Sequence, residues 1–137
     1  MGSVEKMENE QNLLEIARVN FGNWNNALQT RNARKVAELY LEDSTFHPTM
    51  SGDFKSEQKG AEDYFEHFLL KNPFGNIVKD KVQPLGENSY VHSGLYDFEM
   101  GHVDNREVAN ARFTYVWQKD ESGEWKILHH HSSLKPS

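Results

Sequence analysis

Three long runs of alternating side chains fill the last third of the chain and limit what it can fold into. The runs are Ser89–Glu99, Glu107–Lys119 and Glu124–Leu134, and they are separated by short polar segments that each contain a glycine. Alternation with period two is typical of β-strands, and short polar connections join antiparallel neighbours. The sequence therefore predicts a three-stranded antiparallel meander. Such a sheet must cover one face with helices and hide or use the other.

Helical patterns dominate the part of the chain before the meander. Apolar side chains three or four residues apart predict a first helix over Leu13–Gln29. The other predicted elements are a helix that Asn32 caps and that contains Ala33, Val36, Ala37 and Tyr40, a short hairpin within Asp43–Ser56, a helix over Lys59–Lys71, and a strand over Ile77–Leu85 that ends at an edge or bulge. Helices first and strands last predict an α+β fold with a helical layer on one face of a curved antiparallel sheet.

Length and composition restrict the architecture and the partners. The chain has 137 residues, and we expect one domain over residues 11–137 behind a flexible acidic N-terminus at residues 1–10. A net charge of −6 without a basic cluster argues against nucleic-acid binding. The sequence has no cysteine, and no apolar run approaches the ~20 residues that a membrane span needs. We therefore expect a cytoplasmic protein without a cofactor and without nucleic-acid or membrane partners.

Strict alternation sorts the meander residues onto two faces, and neither face is purely polar. The first strand of the meander places Tyr96 and Phe98 on one face and Leu95 and Asp97 on the other. A one-layer sheet in a monomer should have one solvated face, and a broad exposed apolar surface would promote aggregation. The simplest explanation is that one face packs on the helices and the other on a second subunit.

The run His129-His130-His131 raises the question of a metal site. In a strand, His129 and His131 point to one side and His130 to the other. Zinc needs three or four ligands, and no spacing rule recruits His47 or His92 as the third. Sheet packing with an interface hydrogen-bond network is the favoured reading, with no bound metal. Histidines at an interface would make assembly sensitive to pH between about 5 and 7.

A group of short motifs covers nearly the whole chain from about Leu13. They are the helix end Trp24–Leu28, Phe46-His47-Pro48, Gly60, the strand Thr114-Tyr115-Val116-Trp117, the turn Gly123-Glu124-Trp125-Lys126-Ile127, and the ending His129-His130-His131-Ser132-Ser133 followed by Pro136. Together they resemble the association, or hub, domain of calcium/calmodulin-dependent protein kinase II and its stand-alone relatives, within the nuclear transport factor 2-like (SnoaL-like) fold.

The resemblance implies a cone-shaped, curved antiparallel sheet wrapped around a long N-terminal helix plus two shorter helices. It also implies pairing through the sheet and, as in the kinase hubs, assembly of dimers into closed rings. A chain of 137 residues cannot hold a kinase domain as well. We therefore expect either an excised hub or a stand-alone homologue.

The resemblance also implies where a pocket and an interface lie. Animal kinase hubs line the cone with arginines that can bind small carboxylates, whereas the matching positions here hold Leu95, Tyr115 and Ser132, and Tyr64 replaces a pocket histidine. These replacements argue against carboxylate binding by that mechanism. The predicted pocket consists of Tyr64, Leu95, Asp97, Tyr115, His130 and Ser132. The predicted interface consists of Tyr96, Phe98, Arg112, Thr114, His129 and His131.

Two functions are compatible with these expectations, because the fold hosts both. The favoured one is a self-association module that forms dimers and larger closed oligomers and needs no catalytic residue. The alternative is a small-molecule binding protein, or an isomerase- or cyclase-type enzyme, that uses the cone interior. It depends on Asp97, which would suit a general base if it lay inside the cone near Tyr115 and His130. The simpler expectation is that hydroxyl groups satisfy Asp97 and that it does no chemistry.

Overall fold

A computed structural model describes the backbone of residues 2–136 and the side chains of residues 9–136. In chain order its elements are helix α1 (Gly2–Gln29), helix α2 (Ala33–Ala37), strand β1 (Tyr40–His47), strand β2 (Lys55–Ser56), helix α3 (Glu57–Phe68), a 3-10 turn (Leu69–Lys71), and strands β3 (Phe74–Pro84), β4 (Ser89–His102), β5 (Asn105–Lys119) and β6 (Trp125–Leu134). The predicted α+β order, the hairpin β1–β2 and the meander β4–β5–β6 are confirmed.

The strands form one curved, open sheet of six strands in the order β2-β1-β6-β5-β4-β3. Strands β1 and β6 run parallel, and the other neighbours run antiparallel. Strand β3 is an edge strand that ends at Pro84, as the sequence predicts, because proline cannot donate to a further strand. The sheet order places the meander at the centre, where its side chains meet the helices on one face.

Helix α1 begins at Gly2, well before the predicted start at Leu13. The buried stripe follows the prediction, since Ala17, Trp24 and Leu28 are all at most 1% exposed. The prediction followed the apolar stripe, whereas residues such as Glu, Lys and Gln favour a helix without one. The division of the chain at residue 10 stays a prediction. Of the helices in the described residues, none has the length and apolarity needed to cross a membrane.

Helix α2 is short because it is capped at one end and runs into β1 at the other. The side-chain oxygen of Asn32 accepts hydrogen bonds from the backbone N–H groups of Arg34 and Lys35, at 3.0 and 3.3 Å, which confirms the predicted cap. The helix ends at Ala37, and Tyr40, predicted in its buried stripe, instead begins β1. The tyrosine is buried all the same, at 1% exposure.

The core lies between α1, α3 and the inner, concave face of the sheet. Phe21 and Trp24 of α1 and Phe65 of α3 supply the helical side of an aromatic cluster. Their ring partners on the sheet are Tyr40, Phe46, Tyr96, Phe98, Phe113, Tyr115 and His130. All of these sheet residues are buried. The aromatic residues of the meander therefore fill the inside of the fold, where their large apolar area contributes most to stability.

A β-bulge in β6 breaks the alternation that the sequence suggests. Ile127 and His129 pair with consecutive residues of β5, which leaves Leu128 as an extra residue. Ile127 and His130 are consequently both buried, at 0% and 1% exposure. Strict alternation placed these two side chains on opposite faces, and that assignment is wrong because one inserted residue reverses the face of every residue beyond it.

Gly94 lies where β3 presses closely against β4, next to a register shift in β3. A Cβ at this position would lie 1.9 Å from the carbonyl oxygen of Lys79 and 2.8 Å from the Cα of Asp80. Both are backbone atoms, so no side-chain rotation relieves the clash. We expect Gly94→Ala to lower the free energy of unfolding by about 2–3 kcal/mol, or to prevent folding, when measured by urea denaturation.

Gly22→Ala is the matched control for this substitution. A Cβ on Gly22 meets nothing within 4 Å, and the residue lies inside α1. Alanine is a better helix former than glycine, so the control should raise the free energy of unfolding by up to ~1 kcal/mol. Equal stability of the two variants would contradict the close approach of β3 to Gly94.

Candidate functional site

Strand β4 carries four of the predicted site residues, and each of them lies on the face of the sheet opposite to the one predicted. Tyr96 and Phe98, predicted at the interface, are 0% and 3% exposed and lie in the core. Leu95 and Asp97, predicted in the pocket, alternate with them and lie on the outer face of the sheet. All four assignments are wrong. The physical reason is that the face of β4 with the larger aromatic area fills the concave side, which forces its neighbours outward.

Asp97 is therefore not a buried base. Its Oδ1 accepts a hydrogen bond of 2.7 Å from Nδ2 of Asn110, the residue that pairs with it across β4 and β5. The amide of Asn110 satisfies the carboxylate at the surface, where the sequence analysis expected a hydroxyl group to do so. The enzymatic alternative loses the residue on which it depended.

The other four predicted pocket residues, Tyr64, Tyr115, His130 and Ser132, do face the inside. His130 is 1% exposed and lies between two aromatic rings. Its ring centroid is 4.0 Å from that of Tyr115 and 4.6 Å from that of Phe46, both in stacked geometry. Stacking on both faces fixes the plane of the imidazole and leaves its two nitrogens at the ring edge, where hydroxyl groups bind them.

Both nitrogens of His130 take part in a chain of hydrogen bonds. Nε1 of Trp24 donates to the hydroxyl of Tyr40 at 3.2 Å, this hydroxyl lies 2.9 Å from Nδ1 of His130, and Nε2 lies 3.2 Å from the hydroxyl of Tyr96. An indole nitrogen can only donate. The Tyr40 oxygen therefore accepts from Trp24. The Tyr96 hydroxyl donates its only proton to Ser132, so it accepts from Nε2–H of the neutral imidazole, and Nδ1 accepts from the Tyr40 hydroxyl.

The series of hydrogen bonds continues from Tyr96 to the open end of the cone. The Tyr96 hydroxyl donates to Oγ of Ser132, and Ser132 bonds in turn to the hydroxyl of Thr49. The hydroxyl of Tyr64 closes the end by donating to the backbone carbonyl of Thr49 at 3.1 Å. The pocket that Trp24, His130 and Ser132 help to line inside the fold has a volume of about 10 Å³. It adjoins a surface pocket of about 260 Å³ that Tyr64 and Lys71 help to line. The interior is filled by its own side chains.

The titratable groups of the interior are held in their uncharged forms. Burial raises the pKa of the hydroxyls of Tyr40, Tyr96 and Tyr115. Burial also lowers the pKa of His130, and the nearby His129 lowers it further. Among the described residues that line the interior there is no arginine or lysine to pair with a carboxylate. The interior is thus suited to neutral groups.

Sequence reasoning missed a second buried polar cluster, which joins α1 to β3 and β4. Oδ1 of Asp80 accepts a hydrogen bond of 2.8 Å from Arg18, and Oδ2 lies 2.9 Å from Nε2 of His92. The hydrogen bond from Arg18 holds the pKa of Asp80 below its ordinary value, while burial lowers the pKa of His92. No sequence signal pairs these residues, because only the register of β3 with β4 brings Asp80 beside His92. Tyr40 and Thr49 were missed for the same reason, since the β1–β6 pairing places them by His130 and Ser132.

The outer face of β4, β5, β6 and β1 carries the remaining predicted interface residues. Residues in register form rows across these strands, namely Ser93, Thr114, His131 and His47 in one row, Val91, Val116, His129 and Thr45 in a second, and Leu95, Arg112 and Ser133 in a third. We call this set the outer patch. Arg112, Thr114 and His131 border a surface depression of about 230 Å³ on it. Their role in an interface stays a prediction.

The outer patch is less apolar than the sequence analysis expected. Its valines and leucine alternate with serine, threonine, histidine and arginine, whereas the large aromatic residues of the meander point inward. The ring contacts that α1 and α3 make with the sheet all go to the inner face. The helices therefore leave the outer patch uncovered within the subunit.

The side chains of the histidine run lie on both faces of β6. His129 and His131 share the outer face, and His130 points to the inner one, as expected from their positions. In the described part of the chain, no group of three or more His, Cys, Asp or Glu side chains has the arrangement needed to hold a metal ion.

Comparison with known proteins places these features in a family. The profile of the calcium/calmodulin dependent protein kinase II association domain matches residues 12–136. A solved structure from Xanthomonas campestris, described as such an association domain, superimposes with a TM-score of 0.84 at 39% identity, over 90% of this chain and 87% of that one. Curated protein sequences gave no match.

More distant solved structures share the fold. A nuclear transport factor 2-like protein with a cystatin-like fold from Novosphingobium aromaticivorans has a TM-score of 0.73 at 10% identity, over 98% of this chain and 91% of that one. A protein from Streptomyces avermitilis, described as a dehydratase of the same fold family, has a TM-score of 0.77 at 11% identity, over 93% of this chain and 99% of that one. At these identities the likeness concerns the fold and not the activity.

Proposed function

The chain belongs to the calcium/calmodulin dependent protein kinase II association domain family, and on this premise we propose that it is a self-association module whose outer patch pairs two subunits. The observation that carries the proposal is the uncovered outer patch at the centre of the sheet. It presents Val91, Leu95 and Val116 beside short polar side chains, while the helices pack on the other face. A partly apolar surface of this kind is suited to burial against another protein surface.

A second copy of the chain fits the outer patch through two-fold symmetry. In such an isologous contact the same patch serves both subunits, and residues near the axis meet their own copies. Thr114 lies in the middle strand of the patch, between Ser93 and His131 in its row. The side chains of this row are short or flat, so two sheets can approach face to face at about the 10 Å that sheet packing requires.

Further assembly of dimers into a larger closed particle is part of the proposal. It requires a second surface that lies away from the outer patch. Leu70, after α3, and Val103, at the tip of the β4–β5 hairpin, are 76% and 93% exposed. Both lie outside the rows of the outer patch, so pairing through the patch would leave them free for contact with neighbouring dimers.

The alternative, a protein that binds or converts a small molecule inside the cone, has weaker support than self-association. In its favour are the distant neighbours described as dehydratases and the pocket of about 260 Å³ at the open end. Against it stand the filled interior and the outward position of Asp97. We therefore rank self-association first and catalysis second.

Single-cysteine cross-linking tests the pairing, because the natural chain has no cysteine. We expect Thr114→Cys, treated at micromolar concentration with a short bis-maleimide, to give a covalent dimer as the main product on a denaturing gel. Asn26→Cys, on the exposed side of α1, is the matched control and should stay monomeric. A folded Thr114→Cys variant without dimer, or equal yields from both variants, would contradict pairing through the outer patch.

A further inference from the structure

Three histidines form a cluster on the outer patch, which we call the histidine triad: His47 of β1 and His129 and His131 of β6. The ring centroid of His47 lies 5.0 Å from that of His131 and 5.7 Å from that of His129. Strand pairing fixes this arrangement, because His47 is in register with His131. Nδ1 of His129 is 2.8 Å from Oγ1 of Thr45, so the side of this ring that faces Thr45 is already hydrogen-bonded.

The cationic groups around the triad add to its potential positive charge. Arg112 of β5 is close enough to lower the pKa of His131. His130 lies on the inner face of β6 and is held neutral by burial, so it adds no charge. Lys55 of β2 lies on the far side of β1, where Nζ is 3.4 Å from the carboxylate of Asp53. Phe54 packs edge-on against His47 at 5.0 Å and carries no charge.

Acidic groups do not balance the triad. Among residues 9–136, none of its three members forms an ion pair with a carboxylate. On β1 the nearest acidic residue in sequence is Asp43, two positions before Thr45. On β4 an acidic residue, Asp97, lies two positions after Leu95 of the outer patch, and its carboxylate accepts a hydrogen bond from Asn110. Protonation of His129 and His131 would therefore place like charges together without a compensating partner among residues 9–136.

The folded subunit already resists this protonation. Burial lowers the pKa of His129 and His131 below the ordinary value of 6.5, and the nearby His47 lowers both further. Contact between two outer patches would remove more water from these rings and bring two triads together. Both effects oppose the charged forms in the associated state more strongly than in the free subunit.

We propose that the histidine triad makes the pairing of outer patches dependent on pH, with His129 and His131 neutral in the associated state and protonated in the separated subunits at low pH. This inference rests on the proposed self-association. The free subunit binds more protons than the associated one, so association must weaken as the pH falls. The effect begins below the ordinary pKa of histidine, about 6.5, because the pKa of His129 and of His131 is already lowered in the free subunit, and it grows as the pH falls further.

The test measures subunit dissociation at pH 7.5 and pH 5.5 by sedimentation velocity over a micromolar concentration series, with circular dichroism as the check of folding. We expect the dissociation constant to rise at least about tenfold at pH 5.5, because each histidine that must be neutral contributes a factor that approaches ten per pH unit below its pKa. Where the assembly is too tight to dissociate, the exchange of fluorescently labelled subunits should be at least about tenfold faster at pH 5.5.

Two variants assign the effect to the triad. The triple substitution His47→Gln, His129→Gln and His131→Gln should keep the assembly at pH 7.5 and lose its pH dependence. His67→Gln, at an exposed histidine of α3, is the control and should keep both the assembly and its pH dependence. Each sample is measured with and without EDTA, and a pH dependence that vanishes with EDTA would overturn the inference by assigning the effect to a bound metal.

The outcomes separate this inference from the proposed function. A protein that is monomeric at pH 7.5 overturns self-association and the inference together. A protein that is assembled at pH 7.5, folded at pH 5.5 and unchanged in both dissociation and exchange overturns the inference alone. A triple variant that assembles and still responds to pH as the natural sequence does overturns the assignment to the triad.

Discussion

Thr114→Lys should separate the assembled protein into folded single subunits. We expect the dissociation constant to rise at least about 100-fold, because an ammonium group that is buried without a partner costs several kcal/mol. Thr114 lies at the centre of the outer patch, and its row neighbours are Ser93 and His131. Under two-fold symmetry the new lysine would face a surface that already carries Arg112 and the histidine triad, and no carboxylate of the patch is in place to pair with it.

Asn26→Lys is the control for the added charge, since Asn26 is exposed on α1, away from the outer patch. Light scattering after size-exclusion chromatography should give the natural mass for this control and the single-subunit mass for Thr114→Lys, with the same circular dichroism for both. A Thr114→Lys protein of unchanged mass would show that the subunits pair through a different surface.

Trp24→Ala should cause the largest loss of stability of any single side-chain truncation proposed here, about 3–5 kcal/mol. The indole is 1% exposed and contacts the rings of Phe65, Phe98 and Tyr115 from the centre of the core. Its removal creates a cavity between α1 and the sheet. It also removes the hydrogen bond that the indole N–H donates to the hydroxyl of Tyr40.

Trp125→Ala removes the same side chain from a half-buried position and serves as the matched control. Trp125 packs on Tyr90 at 5.0 Å and lies under the ammonium group of Lys119 at 5.2 Å. We expect Trp125→Ala to lower the free energy of unfolding by no more than about half the loss of Trp24→Ala, since surrounding water and flexible neighbours fill the gap. Urea denaturation at one fixed protein concentration compares the two variants. Equal losses would mean that Trp24 is not the centre of the core.

The fold could be predicted from the sequence because its signals are local. The stripe of Ala17, Trp24 and Leu28 identifies the buried side of α1, and the Asn32 cap identifies the start of α2. Alternation identifies the three strands of the meander and their antiparallel order. Each of these patterns depends on residues only a few positions apart, and the structure keeps all of them.

The faces of the sheet could not be assigned as reliably, because alternation groups residues without saying which group lies inside. Tyr96 and Asp97 were assigned to the wrong sides for this reason. The bulge at Leu128 adds a second obstacle, since it reverses the faces of β6 through strand pairing that no short pattern announces. The Asp80–His92 contact depends in the same way on the register between β3 and β4.

The native mass of the purified chain tests the central claim most directly. Sedimentation equilibrium at pH 7.5, over a concentration range from about 1 to 50 micromolar, compares this mass with the 15.9 kDa of one subunit. If the outer patch pairs two copies, the mass is twice that value or a larger even multiple, and it persists at the lowest concentration. A folded, soluble protein of 15.9 kDa over the whole range would contradict the claim.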